Sequence, residues 1–215
     1  MAQGASPQVR RATELEIETP SGTARAFVHA ADQPRAALVL GHGAGGGVGA
    51  PDIVAVTEAL QAGGVSVVLV EQPYRVAGRR SPAPAPRLDA AWVAVLESVR
   101  ASHLAGLPVF VGGRSSGARV ACRTAAATGA AGVVCLAFPL QPASRAGKPP
   151  APSRQHELDA VEVPVLIVQG ERDPFGMPTE SAGRSVAQVD GDHGLKKDIP
   201  AVVEAVRVWL TGQLA

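Results

Sequence analysis

The sequence predicts an α/β fold in which a mostly parallel sheet carries helices on both faces and is entered through an antiparallel hairpin. Three observations carry that expectation. After residue 30, short apolar runs alternate with stretches of helical period, the pattern of repeated β–α units. The runs Ala36–Leu40, Val65–Val70, Gly132–Ala137 and Val165–Gln169 are apolar without alternation, as strands covered on both faces are. Finally, Val109–Val111 runs into Gly113-Arg114-Ser115-Ser116-Gly117 and then an alanine-rich helix, a sharp strand–turn–helix junction.

Taken in order, residues 1–11 read as a flexible tail and 12–215 as a single domain, a length that buries a sizeable core. Thr13–Thr19 alternates apolar and polar residues, turns at Pro20-Ser21-Gly22, and pairs with Ala24–His29. The strand Ala36–Leu40 ends in a glycine loop, Gly41–Gly49, and Pro51 opens a helix with Asp52 in its first turn. Gly63-Gly64 ends that helix ahead of strand Val65–Val70. The proline-rich stretch Ser81–Pro86 excludes regular helix, and Leu88, Ala91, Trp92, Val95, Leu96 and Val99 then mark one face of a long one.

Past the serine turn come strand Gly132–Ala137, a loose loop to about Pro152, a short helix within His156–Ala160 and strand Val165–Gln169. A short helix is expected near Thr179–Gly183, a last strand at Ser185–Val189 and a closing helix over Pro200–Leu210. No insertion large enough for a lid separates Gly132–Ala137 from Val165–Gln169.

Composition narrows the function. A net charge of +1 leaves no nucleic-acid or membrane footprint, and 3% aromatic content lacks the stacking platforms of single-strand binders. No apolar run approaches the ~20 residues of a membrane span, and no apolar segment follows Arg10 and Arg11 as a leader would require. Cys122 and Cys135 make neither a disulfide framework nor a metal spacing. A cytoplasmic protein with buried free thiols, and with no metal or organic cofactor, is expected.

The chemistry centres on the serine turn. A residue held on so sharp a turn presses its neighbours two positions away against backbone, and only residues with little or no Cβ fit there. Gly113 and Gly117 meet that demand for Ser115, whereas Ser116 would need the bulky Arg114 in one of those places. Ser115 is therefore the candidate nucleophile. A hydroxyl needs a base, and the base needs a group that holds its tautomer. Asp173 and His193 follow the last two strands, and the order Ser115, Asp173, His193 is that of the α/β-hydrolase triad. His29, His103 and His156 sit at no late strand end, His42 suits a backbone tether, and Asp190 and Asp192 lie too near His193 in sequence to be its natural partner.

The glycine loop reads two ways. Gly41-His42-Gly43-Ala44-Gly45-Gly46 matches a dinucleotide-binding turn, but more glycines and a proline separate it from the helix, and Glu71 comes later than the acidic residue should. As a hydrolase loop it supplies the Ala44 N–H to an oxyanion hole, with the Ser116 N–H as second donor. Tyr74, Arg75, Phe138 and Phe175 are candidates for the substrate pocket, the aromatics among them equally placed to be core. Arg75, Arg79, Arg80, Arg114 and Arg119 form either a basic rim that favours an anionic ester or no site at all, with Arg114 and Arg119 paired to Glu71 or to carbonyls beneath the turn and the others simply solvated.

Together L-G-H-G-A-G-G, G-G-R-S-S-G-A-R, P-V-L-I-V-Q-G-E-R-D-P-F-G and G-D-H resemble the small cap-less α/β-hydrolases of the dienelactone-hydrolase-like type. Within these the chain looks most like the branch of NSL-complex-subunit and testis-expressed hydrolase-like proteins. The resemblance runs from about Leu38 to the C-terminal helix. It implies the α/β-hydrolase fold, Ser115, Asp173 and His193 as triad, and a structural role for Pro73-Tyr74-Arg75. The chain departs from the pattern at Ser116, where a larger apolar residue is usual, and at Gln141, where a histidine is. The expected activity is hydrolysis of a small-molecule ester or thioester through an acyl-enzyme. A non-catalytic interaction protein on the same fold and a dinucleotide-binding module are the alternatives.

Overall fold

The computed structural model describes residues 12–142 and 151–215; the tail expected over 1–11 and the middle of the loose loop, 143–150, lie outside the described residues. Its order is β1 (Thr13–Thr19), β2 (Gly22–His29), β3 (Ala36–Gly41), α1 (Pro51–Ala62), β4 (Val65–Glu71), α2 (Pro73–Val76), α3 (Ala85–Ser102), β5 (Val109–Arg114) and α4 (Ser116–Thr124). Then follow β6 (Val133–Leu136), α5 (Gln155–Asp159), β7 (Val165–Gly170), β8 (Arg184–Val189) and α6 (Ile199–Gln213).

The strands form one eight-stranded sheet in the order β1-β2-β4-β3-β5-β6-β7-β8. β2 pairs antiparallel with both β1 and β4, and every later pairing is parallel. From β3 the chain steps outward to β4 and then returns to β3's other side for β5. The carboxyl ends of β3 and β5 thus flank a topological switch point, where sheets of this kind open a crevice. This is the α/β-hydrolase fold, with the antiparallel hairpin at its amino-terminal edge.

The unalternating strands have a direct cause. Ala37 and Val39 of β3 face a core built with α3 and α4, while Ala36, Leu38 and Leu40 face one built with α1 and α6. β4 and β6 divide the same way, Val68 and Cys135 to the first core, Val67 and Val134 to the second. Each fully buried aliphatic or aromatic side chain contributes on the order of 1.5–3 kcal/mol, so both faces must be covered.

Three local details depart from expectation. The proline-rich stretch does contribute to a helix: Pro86 lies in the first turn of α3, where its missing N–H costs nothing. Pro73 likewise opens the four-residue α2, a helix too short for hydrophobic period to mark. Over Thr179–Gly183 there is no helix. Ser181 and Arg184 exchange backbone hydrogen bonds of 3.1 and 3.0 Å, and Gly183 turns at φ 81°, closing a tight reversal straight into β8. Arg184, buried as β8 starts, caps that reversal by donating to the Thr179 carbonyl at 2.9 Å.

Candidate active site

β5 delivers Ser115 to the switch point, and α4 begins at the next residue. Ser115 sits at φ 52°, ψ −103°, a left-handed conformation that costs on the order of 1–3 kcal/mol outside glycine. Its own N–H holds the strained turn by donating to the Leu136 carbonyl of β6 at 2.9 Å. A Cβ on Gly113 would lie 2.6 Å from the Gly41 carbonyl oxygen and one on Gly117 2.5 Å from the same atom. The steric reading of the motif is thus literal: the ends of β3 and the elbow touch through backbone.

Asp173 and His193 come from the loops after β7 and β8. The Asp173 side chain is wholly buried, and its Oδ2 lies 2.8 Å from His193 Nδ1. His193 Nε2 lies 2.9 Å from Ser115 Oγ. With Nδ1–H donated to the carboxylate, Nε2 is left to accept the serine hydroxyl. The structure therefore brings the three predicted side chains into one hydrogen-bonded chain.

Further groups hold this chain, and of them Gln169 was not singled out from the sequence. Gln169 of β7, fully buried, donates from Nε2 to Asp173 Oδ2 (2.8 Å), the Gly176 carbonyl (3.0 Å) and the Phe138 carbonyl (3.1 Å). The Phe175 N–H donates to Asp173 Oδ1 at 2.8 Å. Arg114, one residue before the nucleophile, donates from Nη2 to the His193 carbonyl at 2.7 Å and from Nε to Asp52 Oδ2 at 3.0 Å. Asp52 is only 1% exposed; burial pushes its carboxyl up, and the Arg114 guanidinium opposes the shift. The available signal was a charged residue inside G-x-S-x-G, which must find a counter-charge. Its partner is Asp52 and not Glu71. Gly170 lets the Asp192 carbonyl close onto the end of β7, which seats the His193 loop.

The glycine loop is fixed from below by His42. Its Nε2 accepts the Gln72 N–H at 3.1 Å, which assigns the proton to Nδ1, and Nδ1 bonds the Gly43 carbonyl at 2.8 Å. Burial holds this imidazole below its ordinary pKa, and so neutral, while the bond to the Gly43 carbonyl pulls the other way. A trans peptide is planar, so a tethered Gly43 carbonyl aims the Ala44 N–H the opposite way. The Tyr74 hydroxyl then donates to the Ala44 carbonyl at 2.9 Å and steadies the next peptide. Neither the Ala44 N–H nor the Ser116 N–H at the start of α4 has an acceptor among the described residues. Gly46, by contrast, has nothing within 4 Å of a Cβ, so it makes no helix–strand packing contact of the kind a dinucleotide turn needs.

Of the pocket candidates, Phe175 stacks on His193 with ring centroids 4.5 Å apart. Phe138 is fully buried in the core beside α3 and α4, and Tyr74 is mostly buried there too. Arg75 is half-buried, and its buried Nε has no hydrogen-bond partner among the described residues. Ser116, in the place of a larger residue, lines a gap of about 10 Å³ with His42, Gln72, Tyr74 and Trp92. Gln141 is exposed, and its N–H ties the β6 loop to the Phe175 carbonyl at 2.7 Å.

Arg119 belongs to a structural cluster. It meets Glu157 at 2.5 and 2.8 Å, and Arg123 joins both Glu157 and Asp89. Burial pushes Glu157 up, but the two arginines more than offset that and the net shift is down. Cys122 and Cys135 are free and buried, their sulfurs 3.5 Å apart. Among the described residues no group of three metal-ligating side chains converges, and no helix is long and apolar enough to cross a membrane.

A profile of the α/β-hydrolase domain matches residues 34–200. No curated protein matches the sequence. Among solved structures, the chain is similar to a lid-less α/β serine hydrolase of Xanthomonas campestris, at 20% identity and TM-score 0.70, covering 93% of this chain and 95% of that one. It is similar to the protein Est1E of Butyrivibrio proteoclasticus at 16% identity and TM-score 0.72, covering 94% and 98%. A dienelactone hydrolase of Anabaena variabilis gives 16% identity, TM-score 0.72 and coverage of 94% and 99%. At these identities the solved structures speak for the fold.

Proposed function

This chain belongs to the α/β-hydrolase domain family, and from that premise we propose that it is a serine hydrolase acting on small acyl esters or thioesters. The supporting observation is the unbroken hydrogen-bond chain Asp173–His193–Ser115, with links of 2.8 and 2.9 Å. Ser115 Oγ attacks the acyl carbonyl carbon while His193 Nε2 takes the hydroxyl proton. Asp173 holds the Nδ1–H and stabilises the imidazolium so formed. The carbonyl oxygen, now an oxyanion, accepts from the Ala44 and Ser116 N–H groups. His193 returns its proton to the departing alcohol or thiol. Water, deprotonated by the same nitrogen, then releases the carboxylic acid and restores Ser115.

Phe175, stacked on His193, is assigned to the border of the acyl position, and Arg75 is the charged pocket candidate beside it in this reading. Within the family, we propose that the chain belongs with the small cap-less members, in the branch of the NSL-complex-subunit and testis-expressed hydrolase-like proteins, a reading that the motif pattern supports.

A fluorophosphonate probe tests the reading, since it reacts only with an activated serine. Wild type should be labelled at Ser115 and should hydrolyse p-nitrophenyl acetate; Ser115→Ala should do neither. An intact fold whose Ser115 resists the probe would instead indicate an interaction protein, and equal hydrolysis by both proteins would remove Ser115 from the reaction.

A further inference from the structure

Four arginines stand apart from the rest. Every other arginine among the described residues pairs with a carboxylate or donates to a backbone carbonyl. The guanidinium groups of Arg75, Arg79, Arg80 and Arg87 do neither among the described residues, and all four fall between α2 and the first turn of α3. Arg79, Arg80 and Arg87 are exposed. Arg87 also stands at the positive end of an 18-residue helix that has no side-chain cap and no acidic residue in its first turn. A cation there opposes the helix dipole. The segment thus gathers like charges that repel one another, and among the described residues none of them forms an ion pair.

Space accompanies the charge. Two cavities of about 430 and 530 Å³ share Tyr74, Arg79, Ala83 and Arg87 as lining, each within the usual size of a small-molecule site. The hydroxyl-bearing turn Ser21–Thr23 closes one side of the first, and Arg80 lines the second. The first is lined by Gln72, Pro73 and Tyr74, just past the carboxyl end of β4. Tyr74, common to both, is the residue whose hydroxyl holds the Ala44 carbonyl of the glycine loop. One aromatic side chain therefore joins the basic cavities to the candidate oxyanion loop.

We propose that the arch between α2 and α3 is a subsite for the phosphate-bearing end of the substrate, so that the enzyme selects phosphorylated esters or thioesters. The assignment of this anion to a substrate rests on the hydrolase reading above. A single carboxylate would neutralise one guanidinium; a ligand with two or more phosphate charges matches Arg79, Arg80 and Arg87 together, each able to form paired hydrogen bonds to phosphate oxygens.

The subsite is tested without turnover by titrating inorganic pyrophosphate into Ser115→Ala protein in a calorimeter. Saturable binding is expected, weakened about tenfold or more when Arg79→Gln, Arg80→Gln and Arg87→Gln are added, because a charge-assisted contact is worth roughly that factor. No heat at millimolar pyrophosphate, or equal affinity in both proteins, would overturn the subsite. Succinate binding as tightly as pyrophosphate would overturn the phosphate assignment. In wild type, kcat/KM for a phosphorylated thioester should exceed that for an uncharged one with the same acyl group, and the ratio should fall towards one in the arginine variant. An unchanged ratio would separate the site from the substrate. Failure of Ser115 to label would sink the hydrolase reading, whereas the pyrophosphate titration stands or falls by itself.

Discussion

Replacing Arg114 with Met separates what this residue does for stability from what it does for the candidate site. Asp52 is 1% exposed, and its Oδ2 is held by Arg114 at 3.0 Å. Removing one member of such a buried pair strands a charge and costs about 3–5 kcal/mol. For a domain of this size that is a fall in Tm of roughly 6–20 °C. The loss should depend on pH. Asp52 has a folded pKa above its ordinary value, so its contribution to stability is fully present below about pH 3.8 and is lost as pH rises through the folded pKa. Without Arg114 that pKa rises further, so the gap between variant and wild type should be wide at pH 7 and narrow towards pH 4.

Adding Asp52→Asn should recover most of the stability, because no buried charge is then left alone. It should not recover the rate of Ser115 labelling, because the 2.7 Å bond from Arg114 to the His193 carbonyl stays broken. Differential scanning calorimetry across pH and probe-labelling kinetics read the two effects separately. A single variant within about 1 kcal/mol of wild type, or a double variant no more stable than the single, would refute the argument.

Gly117→Ala should cost about 1–3 kcal/mol by overpacking and displace the end of β3, so thermal unfolding and p-nitrophenyl acetate turnover should both fall; a native melting temperature would contradict the 2.5 Å approach to Gly41. Ser116→Ala keeps the N–H assigned to the oxyanion hole, so kcat should stay within about threefold, whereas the loss of about a hundredfold that follows deletion of such a donor would point to the hydroxyl instead. His42 is depressed by burial, with Glu71 and Arg75 acting on it in opposite senses. Its contribution to stability is present above about pH 6.5 and is lost as pH falls towards the folded pKa. His29, also depressed by burial, adds a slope of the same sign. Urea melts from pH 7.5 to 5 should therefore show a shallower decline for His42→Gln than for wild type, with part of the slope remaining.

Much of the site was legible from local chemistry. Gly113 and Gly117 identify Ser115 over Ser116 because a turn that sharp leaves no room for Cβ atoms on its flanks, and the clashes at both positions lie on the Gly41 carbonyl. Asp173 and His193 could be chosen because they follow late strands of a parallel sheet, which all end on one rim. Less was legible where a residue's job depends on a distant partner. Gln169 reads as the polar end of an apolar strand, yet it holds Asp173. Tyr74 reads as a pocket wall, yet its hydroxyl fixes the Ala44 peptide.

By itself, then, the sequence determined the two-sided apolar strands, the proline-marked start of α1, the elbow and the order of nucleophile, acid and base. These depend on hydrophobic period, backbone sterics and chain order, each readable over a few residues. The tertiary structure alone decided that Arg114 neutralises Asp52 and tethers His193, and that a tight turn replaces a helix at Thr179–Gly183. It also decided that four arginines from α2 to the first turn of α3 pair with no carboxylate among the described residues. A hydrogen bond or ion pair between residues 62 or 79 positions apart leaves no trace in local pattern, because its strength depends on where the fold brings the two groups and how much water it removes from around them.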